Sequence, residues 1–143
     1  MNWEKLNKRK YHTNPVEHIH AMDIFNTQEY DRLYENQNDL EHAVWQEFDK
    51  KYKIGFEFKE DITDIDLDKE VIALWFFRER SDRYSGPQID LAGKKIAYTP
   101  NTFILTKSKD IKVIEAKKKY IRRPMVQLDL SEKIFDNVCG RFK

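Results

Sequence analysis

The chain has 143 residues, 40% of them hydrophobic and 13% aromatic, which is the size of one domain and enough apolar bulk to fold without disulfides or metal. Lys and Arg number 26 against 25 Asp and Glu, a net charge of +1 that argues against a dedicated nucleic-acid binder, which carries a basic excess. The lone Cys139 cannot pair internally, no apolar h-region opens the chain and no apolar run approaches a membrane span, so a soluble protein of a reducing, intracellular compartment is expected.

Residues 1–21 read as an amino-terminal arm. The first eleven are rich in Lys, Arg and Asn and are expected to be exposed or loosely docked, with Trp3 and Leu6 placed to pin the arm to a neighbour. Three of the four histidines follow, at His12, His18 and His20. The His18-Ile19-His20 alternation puts two imidazoles on one face of a strand, a geometry that a metal can use. Glu17 points to the opposite face of such a strand and zinc spacing is not met, so a polar strand face or a loop is the preferred reading.

Residues 22–52 read as a helical layer. A helix over 25–38 is announced by Asn26 and Thr27 as caps, Glu29 completing a capping box, and the stripe Tyr30, Leu33, Tyr34. A second helix from Asp39 to Lys51 is carried by Leu40, Val44 and Phe48, with His42 on its polar side.

From Lys53 the period changes to two. Residues 53–130 read as a β-sandwich core: Ile54, Phe56 and Phe58 alternate, and the apolar run Val71–Phe77 has the length and composition of a strand buried on both faces. Between them lies an acidic stretch in which Asp64, Asp66 and Asp68 would share a strand face, a pattern of clustered carboxylates that suits a hard cation but fits a solvated loop better. Short strands follow at Gln88–Leu91, Lys95–Tyr98, Thr102–Thr106, Ile111–Glu115 and Ile121–Leu130, separated by Gly-, Pro- and Asn-containing turns and by a basic connection over 116–120. Pro124 has to sit at a strand start, edge or bulge. Residues 131–143 read as a closing helix capped by Ser131, with Ile134, Phe135 and Val138 on its apolar face. The expected fold is α+β but mainly β: one domain, a sandwich or jelly roll with amino-terminal helices on one side.

The order of apolar strand, Gly-containing turn, short strand, Lys-Lys-Ile-x-Tyr-x-Pro-Asn-x-Phe-x-Leu, loop, strand and Arg-Arg-Pro-Met-Val-Gln-Leu resembles the double-stranded β-helix of 2-oxoglutarate and iron(II)-dependent oxygenases, in particular the prolyl-hydroxylase-like group and its small phage-borne versions. The resemblance spans roughly residues 22–130. It implies a facial triad of a His-x-Asp pair and a distal His around iron, with a basic residue on the last strand for the far carboxylate of the cosubstrate. In this sequence the pair falls on Asp64-Ile65-Asp66, so only Asp66 matches. The distal His falls on Ile111, which has no lone pair. The basic residue falls on Arg122, with Pro124 where a Ser is usual, and Tyr98 would stand nearby. No histidine follows His42, so no shift of register restores the triad.

The expectation is therefore a protein without cofactor or catalytic residues. It would be a structural or interaction component of a phage-type assembly, in the host cytoplasm or the virion, with Trp3, Leu6 and Phe142 as interface candidates. Protein partners or self-assembly are expected, nucleic acid and membrane are not. Two other readings stand beside it. One is a small-anion binding module that keeps a vestigial pocket at Arg122 and Tyr98. The other is a divalent-metal enzyme using Asp64, Asp66 and Asp68.

Overall fold

The computed structural model describes residues 6, 8–77, 87–114 and 123–142. Among these the fold is mainly β, with nine strands in two antiparallel sheets and three α-helices. The strands are β1 (Tyr11–His12), β2 (His18–Ala21), β3 (Phe56–Lys59), β4 (Val71–Phe76), β5 (Pro87–Leu91), β6 (Lys94–Ala97), β7 (Phe103–Lys107), β8 (Ile111–Val113) and β9 (Met125–Leu128); the helices are α1 (Thr27–Glu35), α2 (Ala43–Tyr52) and α3 (Glu132–Gly140). The larger sheet has the order β1-β2-β7-β4-β9-β3 and the smaller β6-β5-β8. No helix of the described residues is long and apolar enough to cross a membrane.

β4 organises the whole. It lies between β7 and β9, and every one of its residues is buried. Val71, Ala73 and Trp75 face a core shared with α1, α2 and α3, while Ile72, Leu74 and Phe76 face a second core shared with the smaller sheet. A strand with apolar neighbours on both faces needs a continuous apolar run rather than alternation, which is what residues 71–77 supply. The helix-side core is aromatic: Phe25 lies 4.4 Å from Trp75 and Trp75 lies 4.9 Å from Phe77, ring centre to ring centre. The inter-sheet core is mainly aliphatic, with Ile89, Leu91, Ile96 and Ile111 from the smaller sheet.

Helix starts follow local chemistry. The Asn26 side chain accepts the Glu29 amide at 2.7 Å, and the Ser131 hydroxyl accepts the Ile134 amide at 3.3 Å. α2 departs from expectation. Residues 36–42 form a chain of turns, with Asp39 N–H on the Asn36 carbonyl and His42 N–H on the Asp39 carbonyl. The helix therefore begins at Ala43, capped by the His42 ring nitrogen accepting the Val44 amide at 3.2 Å, and Leu40 is left exposed. The β5–β6 hairpin turns at Ala92 and Gly93, both at positive φ as a tight two-residue hairpin requires.

The amino-terminal segment is more embedded than an arm. Leu6 is buried in the helix-side core, and β1 and β2 extend the larger sheet beyond β7. Phe142 is half-buried and stacks on Tyr11 at 5.5 Å. Leu6 lies in the helix-side core and Phe142 packs against it. The exposed large apolar side chains among the described residues are instead Met22, Leu40 and Leu67. Trp3 lies outside the described residues.

Candidate functional site

The strand pairing brings His12, His18 and His20 to one place. His12 is the register partner of His18, and their rings stack at 4.9 Å. His20 stands two residues on, on the same face of β2, while Ile19 and Ala21 point into the helix-side core. The histidine face looks toward the smaller sheet, and Lys94 on β6 reaches across to it: its Nζ lies 2.9 Å from His18 Nε2. This contact joins residues 76 positions apart.

The tautomer of His18 follows from its partners. Its Nδ1 lies 2.8 Å from the Val16 carbonyl, which can only accept, so Nδ1 carries the proton. Nε2 then holds a lone pair and accepts from the Lys94 ammonium. A protonated His18 would set N–H against N–H at this contact. Burial lowers the His18 pKa, the Val16 hydrogen bond opposes that, and the charges of Lys94 and His12 lower it further. His12 is lowered by burial and by Lys94. His20 is lowered to about 4, by burial first and then by Lys94, His12, His18 and Lys10. Burial alone lowers Lys94. His18 is fully buried, whereas Lys10, His12, His20 and Lys94 are partly exposed, so the cluster opens to solvent.

Asp66, Tyr98 and Ile111, expected around an oxygenase-like centre, are engaged in holding the fold. Ile62–Asp64 is a 3-10 turn capped by Asp61, and Asp66 accepts the amide of Asp68 at 3.0 Å. Asp64, Asp66 and Asp68 therefore do not share a strand face; short acidic side chains that bond to nearby amides divert the backbone from a ladder. The peptide of Asp66 is clamped by Gln127, whose Oε1 accepts its N–H at 2.9 Å and whose Nε2 donates to its carbonyl at 3.1 Å. Tyr98 is buried, stacks on Phe76 at 4.7 Å and gives its hydroxyl proton to the Pro124 carbonyl, so its phenol is part of the core rather than a pocket wall. Ile111 is buried between the sheets. Arg122 and the basic connection over 116–120 lie outside the described residues.

Its neighbour Arg123 is described and is structural. Arg123 is 2% exposed, and its guanidinium is held by Asp61 (Nε at 3.4 Å, a second nitrogen at 3.3 Å) and by the Ile114 carbonyl at 2.6 Å. Burial pushes the Asp61 carboxyl up, but hydrogen bonds from Thr63 and Arg123 outweigh it and hold the group below its ordinary value. The pair ties the turn at 61–64 to the start of β9.

The histidines cannot complete a centre with Asp66. His20, Ile104, Leu74 and Gln127 form one row across the larger sheet. His20 and Gln127 are thus three strand spacings apart, about 14 Å, while a metal reaches its ligands at roughly 2 Å. Among the described residues no three His, Cys, Asp or Glu side chains converge in a metal-binding geometry. Comparison with protein-family models, with curated proteins and with solved structures returns no match.

The sequence pattern exposed the two-residue spacing of His18 and His20. It carried no signal for Lys94, which joins them only through the facing of the two sheets.

Proposed function

We propose that the chain is a non-catalytic jelly-roll module that serves as a structural or interaction component of a larger assembly, of the phage type that its sequence resembles. The jelly-roll reading is supported by nested pairing. β5 pairs with β6, β4 with β7 and β3 with β9, all antiparallel, as in one long ribbon that has its tip at Ala92–Gly93 and is folded into two facing sheets. The observation that carries the non-catalytic reading is the use made of the inter-sheet space. Where chemistry would need ligands and a cosubstrate pocket, Ile111 fills the core, Gln127 clamps the Asp66 peptide and Tyr98 bonds to Pro124. Each group is committed to packing, and a larger sheet covered on both faces suits a rigid building unit. Among the described residues, Met22, Leu40 and Leu67 are exposed large apolar side chains available to a partner.

Two measurements test this reading. Under anaerobic conditions, Mn²⁺ with 2-oxoglutarate is expected to give no more thermal stabilisation than Mn²⁺ alone; a joint rise in Tm would overturn it. Light scattering after size exclusion is expected to give a mass above the 17.3 kDa of one chain as concentration rises. A strict monomer would remove self-assembly and leave a heterologous partner as the only form of the proposal.

A further inference from the structure

Lys94 is a partly buried ammonium with no acid paired to it among the described residues. Its hydrogen-bond partner is the neutral ring of His18, and its surroundings are His12, His20 and Lys10. The nearest acids along these strands are engaged elsewhere. Glu17 accepts the Tyr11 hydroxyl, and Asp90 holds Lys95 and the Gly93 amide. From β7 the groups facing the histidines are Ile104 and Thr106, which carry no charge: the register that pairs Ile19 with Leu105 and His20 with Ile104 sets Thr106 beside His18. A charge taken out of water without a counter-charge is costly, and the cost disappears when an ion of opposite sign enters. Neither His12 nor His20 has a ring nitrogen in a hydrogen bond among the described residues, so both can offer an N–H to an incoming oxygen.

We infer that Lys94, His12 and His20, with Lys10 at the rim, form a binding site for a small oxyanion, phosphate or carboxylate, where the β1–β2 end of the larger sheet meets the β6 edge of the smaller. His18 is the floor: bonded to Val16 on one side and to Lys94 on the other, it aims the ammonium into the cluster. The anion supplies the missing charge. It also removes the reason for His12 and His20 to stay neutral, so binding takes up protons and tightens as pH falls. This site is separate from the emptied oxygenase-like centre and does not depend on the assembly role.

The test is thermal-shift and calorimetric titration of the full chain with sulfate and with acetate, each against chloride at equal ionic strength, at pH 7.5 and 6.0. Both probes keep their charge over this range. Inorganic phosphate at pH 7.5 completes the set. A saturable rise in Tm is expected with at least one probe; sulfate and phosphate acting over acetate assign phosphate chemistry, and the reverse assigns a carboxylate. Binding is expected to be tighter at pH 6.0, and Lys94→Met is expected to weaken it by about tenfold or more, the loss of a charge-assisted hydrogen bond. Imidazole NMR of the unmutated chain gives a readout that needs no variant: anion is expected to raise the titration midpoints of His12 and His20. No saturable shift with any probe, an equal shift in folded Lys94→Met, or unchanged imidazole midpoints would each overturn the site. So would saturable stabilisation by Zn²⁺ alone that survives Lys94→Met, which would make the cluster a metal site.

Discussion

The Trp75 indole N–H donates to the side-chain oxygen of Asn101 at 3.0 Å, in the middle of the helix-side core. The same oxygen lies 3.4 Å from the Phe25 amide, and the Asn101 side-chain nitrogen donates to the Phe25 carbonyl at 2.8 Å. Asn101 thus ties three segments together: the corner before β7, the centre of β4 and the approach to α1. It does so at a φ of 59°, a left-handed conformation that Asn tolerates better than most residues. Asn101→Ala leaves the indole and the Phe25 peptide unsatisfied in a buried core and adds backbone strain. Each orphaned buried group costs about 1–3 kcal/mol, so a total loss of about 4 kcal/mol is expected in urea unfolding. Asn101→Asp keeps the acceptor but buries a carboxylate and loses the donor to Phe25, so it is expected to be no milder. A loss under about 1 kcal/mol for Asn101→Ala would contradict the buried network.

The Asp61–Arg123 pair gives a second test. Removing one partner of a buried ion pair leaves the other uncompensated and costs about 3–5 kcal/mol. Arg123 is far more buried than Asp61, so the larger penalty follows loss of the acid. Asp61→Ala is expected to destabilise by about 3 kcal/mol, and Arg123→Met by less, because the apolar stem still fills the space. Equal losses in the two variants would show that the guanidinium's bond to the Ile114 carbonyl, and not the ion pair, holds this corner.

Two buried hydroxyls, on Thr102 just before β7 and on Thr106 within it, have no hydrogen-bond partner among the described residues. A buried hydroxyl without a partner costs about 1–3 kcal/mol by protein mutational data. Valine has the same shape and suits a strand. Thr102→Val and Thr106→Val are therefore each expected to raise stability by about 1 kcal/mol. Destabilisation of that size would reveal an ordered water on the hydroxyl.

Which parts of this were readable beforehand follows from how local each cause is. The Asn26 and Ser131 caps act over three residues, and both were legible. The run at 71–77 announced a strand buried on both faces because its composition alone fixes that. Asn101 was legible as a corner, beside Pro100, but its role depends on Trp75 and Phe25, and no local pattern encodes those contacts. Leu6 illustrates the limit: an apolar residue in a basic, Asn-rich segment reads as a contact for a neighbour until β1 is seen to pair with β2 and Leu6 enters the chain's own core. The Asp64-x-Asp66-x-Asp68 alternation was compatible with a shared strand face, but the loop preferred for it is what forms, and for a definite reason. Strand periodicity and a succession of Asx turns both space residues by two, and the capping habit of Asp prevailed over the ladder. The histidine spacing was visible, but the ammonium that gives it meaning comes from the facing sheet.

Lys53 closes α2 at a φ of 53° and ψ of 37°, with its N–H on the Asp49 carbonyl at 2.8 Å. A side chain in this left-handed region is strained, and glycine is not. Lys53→Gly is expected to stabilise by about 0.5–1 kcal/mol in spite of the added freedom of the unfolded chain. Destabilisation would mean that the lysine stem contributes packing at this exposed position.

The histidine cluster makes stability depend on pH in a definite direction. His20 has a folded pKa of about 4 against 6.5 for the free ring, and His12 and His18 are lowered as well. The unfolded chain therefore binds more protons than the folded one between these values, and stability falls as pH falls. The contribution is complete above about pH 6.5 and is lost progressively on the way down through the folded value. The carboxylates with lowered pKa, Asp61 and Asp90 among them, titrate below this window and do not obscure it at pH 5. Because His20 is partly solvated, the full shift is discounted, and about 1 kcal/mol is expected from it between pH 7 and 5. For a chain of this size that is a drop in Tm of roughly 2–4 °C attributable to this ring, measured in buffers free of oxyanions. His20→Gln is expected to flatten the profile by that amount and to leave stability at pH 7.5 nearly unchanged. If the profile of His20→Gln matched that of the unmutated chain, His20 would not be held neutral by the fold.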